Sequence, residues 1–259
     1  MYKTYIIKRS LIAGLFFLGF LNLTSCGSKK DIVYFQNAKD FETIVDTDTF
    51  TPRFKVNDIV SIYVSTFDLN AVKPFNLVKG SEQNSNTQYI DYLIDIDGNI
   101  DFPVLGKIKL IGLTVEEAKD LLKEKLSEYL ESPIVNMRIT NFRITILGEV
   151  ARPGTYFISG ERATILEGLG LAGDLTIKGQ RKNVMVIRDF NGTKTYTRVD
   201  LTNKELFNSP VYYLTQNDVV YVEPNKSAVS NSNFDSRVST AISIASILIT
   251  STVILLTRN

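Results

Sequence analysis

Three carboxylates, Asp91, Asp95 and Asp97, share one parity in an alternating stretch of this 259-residue chain, and paired carboxylates are what glycoside hydrolysis needs. Nothing completes them. The chain has no histidine, the commonest general base and metal ligand, and a single cysteine, so an intrachain disulfide is impossible and a structural zinc site is excluded in practice. Alternation on a solvent face that ends in the Asp97-Gly98 turn explains the three aspartates better than catalysis does. Tyr212 and Tyr213 could stack on sugar rings and Arg152-Pro153-Gly154 could touch a ligand, but strand aromatics and a turn explain both. The sequence thus predicts no enzyme, no metal and no cofactor. Two features keep chemical interest: the lone thiol of Cys26, and a stripe of hydroxyls at Ser239, Ser243, Ser246, Thr250 and Thr257.

Cys26 closes a short leader. Lys3, Lys8 and Arg9 give a positive start, Leu11 to Leu21 is apolar, and Leu23-Thr24-Ser25-Cys26 follows. This segment resembles the bacterial lipobox. The resemblance implies removal of residues 1–25, diacylglycerol on the Cys26 sulfur and an acyl group on its new amine. Each buried methylene would add about 0.8 kcal/mol to the anchor. Gly27, not an acidic residue, follows Cys26, and by similarity to enterobacterial lipoproteins this implies the outer membrane of a Gram-negative bacterium. Residues 26–50 are polar and mixed and are expected to be a lipidated tether.

The body has room for about two small domains. Its net charge of +1 gives no long-range field to recruit nucleic acid. Tyr and Phe, 12 and 15 in number, point to strand-rich structure. Phe54 to Val64 reads as a turn entering a strand. Ile90, Tyr92, Ile94 and Ile96 alternate with polar neighbours, Asp97-Gly98 signals a tight turn, and Lys107 to Ile111 alternates again. Thr114 and Glu117 form a capping box ahead of Ala118, Leu121, Leu122, Leu126, Tyr129 and Leu130 at helical spacing, with Pro133 as the stop. Val135, Met137 and Ile139 mark a strand. A second module starts at Phe142, with Ile144 and Ile146, a turn through Pro153 and Gly154, a second capping box at Thr164 and Glu167, and Gly173 as helix C-cap. Further strands are predicted at Val184–Ile187, Lys194–Val199 and Val219–Val222. Asn57-Asp58-Ile59-Val60 is echoed by Asn217-Asp218-Val219-Val220, which predicts similar turns. The class is α+β.

Phe54–Val64, the run Asp95-Ile96-Asp97-Gly98-Asn99-Ile100-Asp101-Phe102-Pro103-Val104-Leu105-Gly106, and Gly112-Leu113-Thr114 with its helix resemble the polysaccharide export domain. Leu147-Gly148-Glu149-Val150, Arg152 to Tyr156, Ala163 to Glu167 and Ala172-Gly173 resemble the soluble-ligand-binding β-grasp domain. With the lipobox, the pattern is similar to outer-membrane polysaccharide export lipoproteins. It implies an export domain at residues 51–141, one β-grasp domain at 142–226, a linker at 227–236 and a transmembrane helix at 237–257. It also implies a homo-oligomeric ring conducting capsular or extracellular polysaccharide, an inner-membrane copolymerase or tyrosine kinase as partner, and a body in the periplasm. Asn57 and Asn217 stand where that family has Gly, which Asn can replace in left-handed backbone. Asp174 also replaces a common Gly.

Residues 238–256, nineteen in all, would span about 28 Å as a helix, near the thickness of a hydrocarbon core. The five stripe hydroxyls fall on one face and aliphatics cover much of the rest. One reading is a barrel of helices with hydroxyls toward water. The other is a periplasmic glycan-binding lipoprotein whose last helix is only an anchor, its small residues packing on another helix.

Overall fold

The computed structural model describes residues 31–40, 50–79, 88–190, 192–232 and 236–257. Cys26 and the whole leader lie outside these residues. The folded body holds two hydrophobic cores, one built from Phe54 to Met137 and one from Phe142 to Val222. Ile139 is packed against both.

The first core lies under a three-stranded antiparallel sheet. In chain order its elements are β1 (Ile59–Ser65), the short pair β2 (Val78–Lys79) and β3 (Gln88–Tyr89), β4 (Tyr92–Leu93), the hairpin β5 (Asn99–Phe102) and β6 (Gly106–Lys109), helix α1 (Val115–Leu126) and β7 (Ile134–Ile139). β1 sits between β4 and β7, with Val60 opposite Tyr92 on one side and Ile139 on the other. Period-two alternation puts Val60, Ile62 and Val64 into the core, where α1 closes it with Val115, Ala118, Leu122 and Leu126. The predicted capping box is present: Glu117 N donates to Thr114 Oγ1 at 3.1 Å, and Thr114 N donates to Glu117 Oε2 at 2.8 Å.

Two expectations fail locally. The helix stops at Leu126, not near Pro133, because the Ser127 amide turns back to the Lys123 and Glu124 carbonyls. Leu130 is still buried, while Tyr129 is 55% exposed. The alternating run at 90–96 also gives only a two-residue strand. Tyr92 and Ile94 are buried, but Ile96 is 83% exposed, since Asp95 bends the chain into the Asp97-Gly98 turn by accepting the Asn99 amide at 2.8 Å. Gly98 has a φ of +85° there.

The second core lies under a five-stranded mixed sheet in the order β12, β11, β14, β8, β9. Its elements are β8 (Arg143–Gly148), β9 (Gly154–Phe157), β10 (Ala163–Thr164), α2 (Ile165–Leu171), β11 (Gly179–Phe190), β12 (Thr193–Val199), β13 (Tyr213–Leu214) and β14 (Val219–Pro224). β8 and β14 run parallel and all other neighbours are antiparallel. The second capping box forms on α2, with Glu167 N donating to Thr164 Oγ1 at 3.1 Å and Thr164 N to Glu167 Oε2 at 2.7 Å. Gly173, at φ +76°, ends α2 in a Schellman closure: its amide bonds Gly170 O at 2.9 Å and the Asp174 amide bonds Leu169 O at 2.8 Å. Arg152 Nη2 caps the same helix end at Leu171 O, and Pro153-Gly154 leads from it into β9, so that segment is structural.

Two helices follow, the short α3 (Lys226–Ser232) directly after β14 and the 22-residue α4 (Ser236–Thr257). Gly148 is the described glycine whose Cβ would meet a neighbour most closely. Its φ is +89°, and a Cβ there would sit 2.0 Å from the Val222 carbonyl oxygen on β14. Gly148→Ala is therefore expected to cost roughly 2–5 kcal/mol, from left-handed strain plus overpacking, read as a lowered midpoint in thermal or urea unfolding.

Candidate functional site

The echoed Asn-Asp motifs prove to be one turn built twice. Asn57 and Asn217 both adopt left-handed backbone, at φ 69° and 65°, so amide side chains serve where glycine was expected. Each following aspartate is buried, at 1% and 0% exposure, and caps its own turn: Asp58 Oδ2 accepts the Lys55 amide and Asp218 Oδ2 accepts the Thr215 amide, both at 2.8 Å. The turns deliver β1 and β14, the middle strands of the two sheets, and they meet at the domain junction. Asn141 joins them. Its Oδ1 accepts the Ile59 amide and its Nδ2 donates to Asn57 O, both at 2.9 Å, while its carbonyl accepts Gln216 Nε2 at 2.7 Å. Lys55 reaches across and donates to Thr215 Oγ1 at 2.9 Å.

The two aspartates differ in compensation. Asp218 is met by Arg188, Nε at 3.1 Å and Nη2 at 2.7 Å, and by the Thr215 hydroxyl at 3.0 Å. Asp58 Oδ1 has no partner. Burial pushes the Asp58 carboxyl up to about 6, with the Lys55 amide and ammonium pulling the other way. Burial likewise lowers the Lys55 ammonium, against the pull of Asp218. Because Asp58 holds its proton more tightly when folded, its contribution to stability is full below its ordinary value of 3.8 and is lost as pH rises through about 6.

The tether is not a loose spacer where it is described. Residues 31–40 lie on the second domain. Phe35 N and Gln36 N donate to Leu201 O and Thr202 O, Lys182 pairs with Asp31 at 2.7 Å, and the Tyr34 hydroxyl donates to Asp174, the residue that replaces glycine at φ 67°. Burial, then that carboxylate, pushes the Tyr34 phenol well above its usual range. An aromatic chain runs from Phe35 through Phe207, Tyr212 and Tyr213 to Phe50, with neighbouring ring centroids 4.9–5.2 Å apart. Tyr213 thus receives Phe50 directly, and Tyr212 is joined to Phe35 through Phe207. The sequence signal for this docking is the pair Phe35 and Phe50 within a segment of mixed composition.

α4 covers 22 residues, about 33 Å. Every side chain described on it is exposed, Ile247 at 65% and Ile242 at 58% among them. The sequence from residue 238 to 257 has no charge, although among the described residues no stretch is long and apolar enough to cross a membrane. Ser243, Ser246 and Thr250 share one exposed face; the side chains of Ser239 and Thr257 lie outside the described set. Ser246 Oγ donates to Ser243 O and Thr250 Oγ1 to Ser246 O, both at 2.8 Å, so these hydrogens are satisfied by the helix itself. Asp91, Asp95 and Asp97 do not converge on a metal, and no cluster of three or more metal-ligating side chains occurs among the described residues.

Residues 48–140 match the family model described as polysaccharide biosynthesis/export protein, and residues 143–198 match the SLBB domain. The boundary between them falls at the Asn141 junction. The chain is 27% identical over 139 residues to the EPS I polysaccharide export outer membrane protein EpsA of Ralstonia solanacearum, covering 52% of this chain and 36% of that protein. It is 30% identical over 110 residues to the protein of the same name from Ralstonia nicotianae, covering 41% and 28%. The chain thus spans about a third of the length of these curated relatives.

Arg188→Met would strand the buried Asp218 carboxylate and is expected to cost about 3–5 kcal/mol, measured by denaturant unfolding. Phe35→Ala removes one end of the aromatic chain and is expected to cost about 1–2 kcal/mol while speeding protease cleavage between residues 30 and 50.

Proposed function

The chain belongs to the polysaccharide export family, and on that premise we propose that it forms part of an outer-membrane passage for capsular or extracellular polysaccharide, working as a ring of identical copies. The family is one of transport components, not enzymes. The observation that carries the reading is α4: a 22-residue helix, free of charge from residue 238 onward, that none of its own chain covers where its side chains are described. Such a surface needs lipid or neighbouring helices.

Both routes to the membrane leave the second domain. Asp31 is docked on it through Lys182, and α3 and α4 follow directly from β14. Acylated Cys26 lies five residues before Asp31, so the lipid can be no farther than about 18 Å of extended chain from that contact. In this arrangement the β-grasp domain sits against the outer membrane. The export domain projects into the periplasm, toward an inner-membrane copolymerase or tyrosine kinase. Copies of α4 close around a water column, with the Ser239, Ser243, Ser246, Thr250 and Thr257 stripe inward, within an arc of about 60°. Hydroxyls bonded to their own helix still offer oxygen lone pairs to a sugar polymer and set no fixed charge in its way.

A second reading has one observation in its favour. Because Ser246 and Thr250 donate to their own backbone, they need no water, and the stripe would also suit a lone anchor packed on another helix. Replacing Ser239, Ser243, Ser246 and Thr250 together by Leu separates the two. A channel loses polymer export while the protein stays membrane-inserted and lipidated; continued export at the native level rejects the channel. The native particle extracted in detergent is expected to have a mass several times that of one acylated chain beginning at Cys26, which is smaller than the 29.1 kDa of the whole sequence by residues 1–25, and a monomer would reject the ring.

A further inference from the structure

The charged residues at the junction leave one group uncompensated. Asp218 is saturated by its own turn and by Arg188, which also donates to Tyr213 O at 2.8 Å. Asp58 is equally buried, yet one oxygen is bare and the cation facing it is Lys55. That same ammonium crosses to Thr215 in the other domain, where Asp218, Arg188 and Asp189 also act on it. The Lys55 backbone is fixed by its amide bond to Asp58 Oδ2, so only the side chain can choose between the two turns.

We propose that the junction is a proton-dependent latch, in which Asp58 and the Thr215–Asp218 turn compete for the Lys55 ammonium. Ionised Asp58 draws the ammonium back to its own turn and weakens the bridge to the second domain. Protonated Asp58 gives up that attraction, and Lys55 stays on Thr215. The Asn141 bonds hold the two domains together in either state, so what changes is the stiffness of the joint and not its existence. The burial that raises the Asp58 carboxyl to about 6 places the change in the range of an acidifying periplasm, where an exposed aspartate would stay ionised. The latch stands whether or not copies close into a ring.

The test uses full-length protein in detergent micelles, spin-labelled at Lys123→Cys on α1 and Thr193→Cys on β12, with distances read by double electron–electron resonance. Between about pH 7.5 and about pH 5, either side of the Asp58 value near 6, the interdomain distribution is expected to narrow. Asp58→Asn should give the narrow distribution at both pH values. Lys55→Met, which leaves the Asp58 backbone contact in place, should give the broad one at both. An unchanged wild-type distribution across this range overturns the latch, as does a pH response that survives in Lys55→Met. Should Asp58→Asn fail to fold, the wild type and Lys55→Met still decide the matter.

Discussion

Burying a carboxylate is costly unless hydrogen bonds and a cation meet it, and this molecule buries two to start its two central strands. Asp58 and Asp218 each pull a backbone amide three residues upstream into a tight turn, and the asparagine before each supplies the left-handed residue that closes it. From those turns β1 and β14 enter their sheets at fixed height, and the inward faces of Val60, Ile62 and Val64, and of Val220 and Val222, follow by alternation. Because the turns abut at Asn141, the same polar groups that set strand register also set how one domain meets the other.

Much of this could be read from the chain. The capping boxes at Thr114 and Thr164, the left-handed Asn57 and Asn217, and the strands around Ile144 and Val184 rest on local rules that the tertiary structure leaves intact. Element boundaries were less legible, because burial elsewhere in the fold decides where an element ends. Pro133 was the visible stop signal, but the chain leaves the helix at Leu126 to bring Leu130 under the sheet. β11 extends beyond Ile187 by pairing with β12 and starts at Gly179 by pairing with β14, neither of which a window on 179–190 alone contains.

How the tether docks was not legible. Composition made residues 26–50 a tether, and within it Phe35, Gln36 and Asn37 are bonded to Leu201, Thr202 and Asn203. Phe35 and Phe50 carry a weak periodic signal but a strong packing one when the receiving domain already offers Phe207, Tyr212 and Tyr213. The stripe on the last helix shows the reverse. Spacing placed its hydroxyls on one face, and the face is there at Ser243, Ser246 and Thr250. What spacing could not show is that two of the hydroxyls turn inward to their own carbonyls.

The parallel pairing of β8 with β14 joins Thr145 to Val219 across most of the second half of the chain. Loop closure over that separation is entropically unfavourable, so the second domain must complete late. The first domain draws its core from residues 54–137 and can be whole before β14 has even been synthesised. The amino-terminal strap, whose docking partners run from Asp174 and Lys182 to Asn203, must dangle through that interval. The segment from Asp31 to Asn37 is therefore at its most accessible before the second domain closes and binds it.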